Sequence, residues 1–177
     1  MTNSIIVTDV ETTGLVPDEN VIVSIGAKDY ETGDEFYGEC RIYDDSVVSD
    51  FALAVNGFTR EQITDPSKPL PHELYLKFLS WATLYPNPII AGQQVGSFDI
   101  KFLEALNRTA KQKWIFGYRS IDLHSIAFAK YRESLSLDGV LTKVGLSPEV
   151  KPHNALTGAK LEAEALKRLF NDFSISA

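Results

Sequence analysis

The order of its periodic segments constrains this chain most. Three strand-like runs come first, and helix-like and strand-like segments alternate behind them. Ser4–Thr8 is a short apolar run ending at Asp9, the pattern of a buried strand. Val21–Tyr30 and Glu35–Tyr43 flank Glu31-Thr32-Gly33-Asp34, whose residues suit a hairpin turn. Asp44–Asp65 reads mostly as connecting structure, with a helical turn starting at Thr59. Pro66, Pro69 and Pro71 mark a loop before His72–Leu84, where Leu74, Phe78, Leu79 and Trp81 recur at helical spacing. Pro88–Ala91 reads as a fourth strand and Ser97–Asn107 as a helix. Tyr118–Leu123 reads as a fifth strand leading into a helix through Tyr131. Ser136–Val144 is a short helix ended by Gly145. A last helix is expected from Asn154, a suitable N-cap, to about Phe170. With no repeat, low-complexity tract or linker, residues 1–177 form a single expected domain with an α/β layer fold.

One of these segments carries paired acids, and two others carry single residues that suggest chemistry. Asp9 and Glu11 stand two apart, so on an extended strand their side chains point the same way. Side-by-side carboxylates repel unless cations neutralise them, and hard divalent metals such as Mg²⁺ or Mn²⁺ take oxygen ligands of this kind. Gly14 lets the chain turn sharply after the strand. Asp99 falls in the first turn of its helix, where the macrodipole alone favours an acid. His153 precedes the last helix, and a neutral imidazole near pH 7 suits a general base.

Composition narrows the partners. The net charge of −7 argues against a broad electrostatic footprint on nucleic acid, though less against an enzyme that grips only a strand end. No apolar run approaches the length of a membrane span, and Met1-Thr2-Asn3-Ser4 has no basic region like that of a secretory signal. Cys40 is the single cysteine, so no intrachain disulfide forms, which fits a reducing compartment. These features together set the expectation of a cytoplasmic protein.

Three segments together resemble a known family. Asp9-Val10-Glu11-Thr12-Thr13-Gly14, Gly96-Ser97-Phe98-Asp99 and Pro152-His153-Asn154-Ala155-Leu156-Thr157-Gly158-Ala159 are similar to the three exonuclease motifs of the DEDDh family. These are 3′–5′ exonucleases that include proofreading subunits and RNase T. The resemblance implies an RNase H-like, five-stranded mixed sheet flanked by helices on both faces. It implies that Asp9, Glu11 and Asp99 hold two Mg²⁺ or Mn²⁺ ions, with His153 as base. Thr12, Thr13, Gly14 and Leu15, with Phe98, would grip the bases at the 3′ end of single-stranded DNA or RNA. Asn56-Gly57-Phe58-Thr59 looks like the family's loop after the third strand, and Leu137–Leu146 like its short helix before the third motif. The expected reaction is hydrolysis of the terminal phosphodiester to release nucleoside 5′-monophosphates. A polymerase or another replication, repair or RNA-processing factor is the partner class implied, and a homodimer is a further candidate.

The chain departs from the family pattern twice. Gln93-Gln94 stands where the family has a His-Asn pair, and Gly158 stands in place of the fourth acid. Three accounts of Gly158 are open: a weakened nuclease, a nuclease in which Glu162 compensates, or a silent module that binds nucleic-acid ends or a polymerase-type partner. Glu162 shares a helix face with position 158, but a helical turn rises about 5.4 Å, which strains direct substitution. Glu162 and Glu164 are therefore expected mainly as exposed helix acids pairing with Lys160, Lys167 or Arg168. An aspartate at 158 is expected to fit without harm and to strengthen metal binding. His72 and His124 match no motif and are expected to be structural or exposed.

Overall fold

The computed structural model describes residues 3–175, with side chains through residue 172. Five strands form one mixed sheet: β1 (Ile5–Thr12), β2 (Ile22–Asp29), β3 (Glu35–Glu39), β4 (Ile89–Gly92) and β5 (Ser120–Asp122), in the order β3-β2-β1-β4-β5. The β1–β2 and β2–β3 pairs are antiparallel, while β1–β4 and β4–β5 are parallel. The hairpin joining β2 to β3 turns at Gly33, whose φ of 82° favours glycine, and the Asp29 carboxylate accepts from the Glu31 and Thr32 amides.

Seven helices complete the described chain: α1 (Asp50–Asn56), α2 (Arg60–Thr64), α3 (Pro71–Ala82), α4 (Asp99–Thr109), α5 (Leu123–Tyr131), α6 (Leu137–Lys143) and α7 (Ala155–Ile175). Alternation along β1 sorts them into layers. Ile6 and Val10 join a core with Leu74, Tyr75 and Phe78 of α3 and Phe102, Leu103 and Leu106 of α4. Val7 faces the other way, into a core with Leu123, Leu141, Ala163 and Leu166 from α5, α6 and α7. Helices therefore cover both faces of the five-stranded mixed sheet, which is the RNase H-like architecture.

Most expected elements are present; α7 runs on to Ile175, past the expected Phe170, and three further differences concern the sheet and its connections. The first strand does not stop at Asp9 but pairs with β2 as far as Thr12, because Glu11 and Thr12 still find ladder partners in Ser24 and Ile22. The third strand ends at Glu39, where the chain leaves the sheet edge: the Arg41 amide bonds to the Pro69 carbonyl. Helix α1 lies inside the expected connecting segment. Ser49 caps its N-terminus by accepting from the Ala52 amide, and Gly57 closes it in the left-handed conformation (φ 74°). The turn expected at Thr59 is α2, started by a capping box between Thr59 and Gln62.

Candidate active site

Asp9 and Glu11 leave β1 on the face covered by α7, since they share the phase of Val7. Their register partners on β2 are Gly26 and Ser24, both small. A Cβ on Gly26 would overlap the Ala155 backbone, so glycine there lets the start of α7 rest directly on the sheet. Directly after Glu11 the β1–β2 register shifts by one residue, a bulge that re-aims the chain into the Thr12–Leu15 turn. Asn56, buried at the end of α1, donates to the Thr12 carbonyl and holds that turn.

Asp99 opens α4 at the C-terminal edge of the sheet. It is buried, and its Oδ1 accepts from the Val10 backbone amide at 3.1 Å, which fixes it beside the acids of β1. His153 lies just before α7, its own amide bonded to the Val55 carbonyl, and its imidazole is partly exposed. Its Nδ1 stands 3.6 Å from Oε2 of Glu149, whose side chain is buried.

These groups line one cleft of about 730 Å³. Asp9, Glu11, Thr12, Gly14, Leu15, Phe98, Asp99, His153 and Glu162 all reach it. Leu15 is 76 % exposed and Phe51, which also lines the cleft, 77 %, while Phe98 is half-buried against Phe102. Thr13 does not reach the cleft. Its hydroxyl donates to the Val47 carbonyl, its amide to the Val21 carbonyl, and its carbonyl accepts from Ser49, so it has no free group for a substrate. Its part is to brace the turn. His72 bonds and stacks on Tyr43, and His124 meets Ser134, both outside the cleft.

The helix acids divide. Glu164 pairs with Arg168 at 3.0 Å, and Lys160 pairs with Glu35 of the sheet. Glu162 is not an exposed helix acid: it is 3 % exposed, lines the cleft, and its Oε2 has no hydrogen-bond partner among the described residues. Nor is there open space at 158. A Cβ on Gly158 would overlap Oδ2 of Asp9, so the Asp9 carboxylate occupies the place where a side chain at 158 would begin. An aspartate at 158 therefore fits only with the Asp9 carboxylate turned aside, a shift the sequence gives no sign of. Glu149 was missed as well; an acid four residues before His153 was the only signal for it.

Crowding of acids sets the electrostatics. No Lys or Arg lines the cleft among the described residues. Burial holds the Asp9 carboxyl well above the ordinary carboxylate range, and repulsion from Glu162, then Asp99, Glu11 and Glu149, adds to it. Burial, followed by the charges of Glu149 and Asp99, lifts Glu11 to about 8. Burial lifts Asp99 to about 7 against the pull of backbone amides, including that of Val10. Glu149 and Glu162 are raised too, chiefly by burial, and the Gln93 amide only partly relieves Glu162. Among the described residues no three such side chains already form a closed metal cage. The donor set is nonetheless oxygen-rich and short of positive charge, and it includes an orphaned buried carboxylate oxygen, which is the chemistry a hard divalent cation requires.

A mixed sheet presenting acids of β1 and α4 to a histidine ahead of the last helix defines a nuclease-like class of fold and site. Residues 6–166 match the exonuclease family that includes RNase T, and the chain belongs to this family of DEDDh-type exonucleases. It is 30 % identical over 168 residues to the PolC-type DNA polymerase III of Thermotoga petrophila, and equally to that of Thermotoga maritima. The match covers 92 % of this chain but 12 % of each polymerase, so the chain spans about an eighth of these relatives. The nuclease domain of 3'hExo, a DEDDh family member bound to rAMP, superposes with a TM-score of 0.76 at 21 % identity, covering 96 % of this chain and 92 % of that one. E. coli Exonuclease I in complex with a dA16 oligonucleotide gives 0.79 at 17 % identity, covering 97 % and 41 %. Both show the shared fold.

Proposed function

We propose that this chain is a metal-dependent 3′–5′ exonuclease that hydrolyses the terminal phosphodiester of a DNA or RNA strand and releases nucleoside 5′-monophosphates. One observation carries the reading: Asp9, Glu11 and Asp99 converge on a single cleft that His153 also lines, and among the described residues no Lys or Arg there neutralises them. Family membership supports it.

Asp9, Glu11 and Asp99 would hold Mg²⁺ or Mn²⁺. Bound there, the ions would lower the pKa of water and neutralise charge on the phosphate. His153 takes the proton of the attacking water, and its partial exposure leaves the imidazole a route to return that proton to solvent. Glu149 stands beside Nδ1 and orients the ring. The Gly14–Leu15 turn and Phe98 flank the acids, so a terminal base would lie against Leu15 and the Phe98 ring while its phosphate faces the carboxylates. Phe51, exposed where it lines the cleft, offers an apolar surface to the next base. The short cleft suits a strand end rather than a duplex, which reconciles a net charge of −7 with a nucleic-acid substrate. The polymerase relatives support a partner in replication or repair.

The test is digestion of 5′-labelled single-stranded DNA and RNA with Mg²⁺ or Mn²⁺. The reading expects a ladder shortening from the 3′ end, with mononucleotides as products. Intact strands under every metal condition, or internal cuts, would overturn it.

A further inference from the structure

Glu162 lines the cleft and has no part in the mechanism above. Three observations converge on it. First, Asp9 Oδ2 lies in the place a Cβ at 158 would take, and that Cβ would stand 3.0 Å from Asp9 Cγ. Glycine thus leaves the Asp9 carboxylate the space beside the first turn of α7 that a side chain at 158 would take. Second, Glu162 sits one turn further along the same face and is buried with Oε2 unpartnered. Third, that oxygen stands 3.0 Å from where a Cβ on Gly92 would be, so a second glycine leaves the passage that Glu162 fills at the end of β4.

Helix geometry removes the objection of distance. Side chains on an α-helix lean toward its N-terminus, so the surface a residue covers lies over the preceding turn. The Glu162 carboxylate therefore reaches back toward the turn that begins with Gly158. Asp9 approaches from the other side because Gly158 permits it. Gly158 and Glu162 thus leave the Asp9 and Glu162 carboxylates to approach the same part of the cleft from two elements.

Hydrogen bonding accounts for Glu162 only in part: the Gln93 amide serves the carboxylate, and Oε2 is left over. Buried carboxylates are kept in folds by hydrogen bonds or cations, because desolvation otherwise penalises them. Glu162 Oε2 has no such bond, and no Lys or Arg lines the cleft among the described residues.

We propose that Glu162 is a ligand of a divalent cation shared with Asp9, the site's fourth carboxylate displaced by one helical turn. This assignment rests on the metal-dependent reading of the cleft given above. It predicts a subclass of such sites in which glycine in the first turn of the last helix goes with glutamate one turn later.

Mn²⁺ binding to the intact chain without nucleic acid tests it, read by electron paramagnetic resonance of free Mn²⁺ and by calorimetry. The variants are Glu162→Gln, which keeps the shape, Asp9→Asn, and Glu164→Gln, which removes an acid outside the cleft. Glu162→Gln should weaken Mn²⁺ by at least about tenfold or remove one class of site. Glu164→Gln should bind like the parent chain. Thermal unfolding checks the fold independently: without metal, Glu162→Gln should be at least as stable as the parent, because an uncompensated buried acid is gone. With Mn²⁺ the parent should gain more in Tm than the variant. If Glu162→Gln binds Mn²⁺ as tightly and in the same ratio as the parent while Asp9→Asn does not, the Glu162 assignment is wrong and the exonuclease reading stands. If the parent binds no Mn²⁺ at all, both fall.

Discussion

The two walls of the cleft obey different rules. On β1, Asp9 and Glu11 face the same way because strand side chains alternate, and nothing beyond their spacing is needed to place them together. On α7, the direction of a side chain is also set by spacing, but its reach is not. How far Glu162 extends into the cleft depends on how closely the helix lies to the sheet. That distance is set by glycines on both sides of the contact, Gly26 on β2 and Gly158 on α7. A strand acid is thus placed by its own segment, whereas a helix acid is placed by the packing of two segments.

The sharpest way to separate the walls is to remove a carboxylate from the strand. Asp9→Asn should lower the cleavage rate by roughly 10³-fold or more, because Asp9 is buried among the other acids of the cleft, beside the first turn of α7. Single-turnover assays with saturating Mg²⁺ would check it. A loss below about tenfold would mean that the strand wall is not where the chemistry happens.

His153→Ala should follow, with kcat reduced about 10²- to 10⁴-fold and KM little changed, since a general base acts in the transition state. His72→Ala and His124→Ala should leave kcat within about twofold, because both side chains lie outside the cleft. Equal losses at all three positions would point to stability instead of catalysis.

Substitution at Gly158 probes the helix wall. Gly158→Asp should weaken Mn²⁺ binding and destabilise the fold by about 1–3 kcal/mol, because the new side chain drives into Asp9. Gly158→Ala should shift both in the same direction, since its Cβ alone makes that overlap, despite alanine's better helix propensity. Chemical denaturation with parallel metal titration would show it. Tighter metal binding in Gly158→Asp would mean that Asp9 rotates freely and that the two α7 positions are not coupled.

The smallest effect is a pH trend. In the metal-free protein, Glu11 rises from an ordinary 4.5 to about 8 and Asp99 from 3.8 to about 7. The folded chain therefore holds protons that the unfolded chain has released, and stability falls as pH rises through this window. Urea midpoints measured in chelator should decline from pH 5 to pH 8. Saturating Mg²⁺ should flatten the decline, because bound cations take the place of those protons. A rising midpoint would contradict the crowding of acids in the cleft.

Much of this arrangement was legible from the residues. Asp9-x-Glu11, the Phe98-Asp99 pair and His153 led to the cleft, and the order of strand-like and helix-like runs led to the sheet. What escaped was long-range. Thr13 belongs to a motif that suggests substrate contact, but its three polar groups are used by Val21, Val47 and Ser49, partners 8 to 36 positions away along the chain. Helix α1 lacked a clear period because only Leu53 and Asn56 of its seven residues are buried. Glu149 lies in a loop, where no period assigns direction. Glu162 read as a solvated helix acid because it shares its helix with Lys160, Lys167 and Arg168, although only Glu164 stands three or four residues from them. The glycines that bring it into the cleft are informative only once β2 and α7 are known to touch.

The most direct measurement is the anomalous scattering of Mn²⁺ in crystals of this chain. The account predicts a peak bridged by Asp9 and Glu162, with Glu11 and Asp99 on the same side of the cleft and His153 facing it. Peaks held without Glu162, or no peak among the acids of β1, α4 and α7, would contradict it.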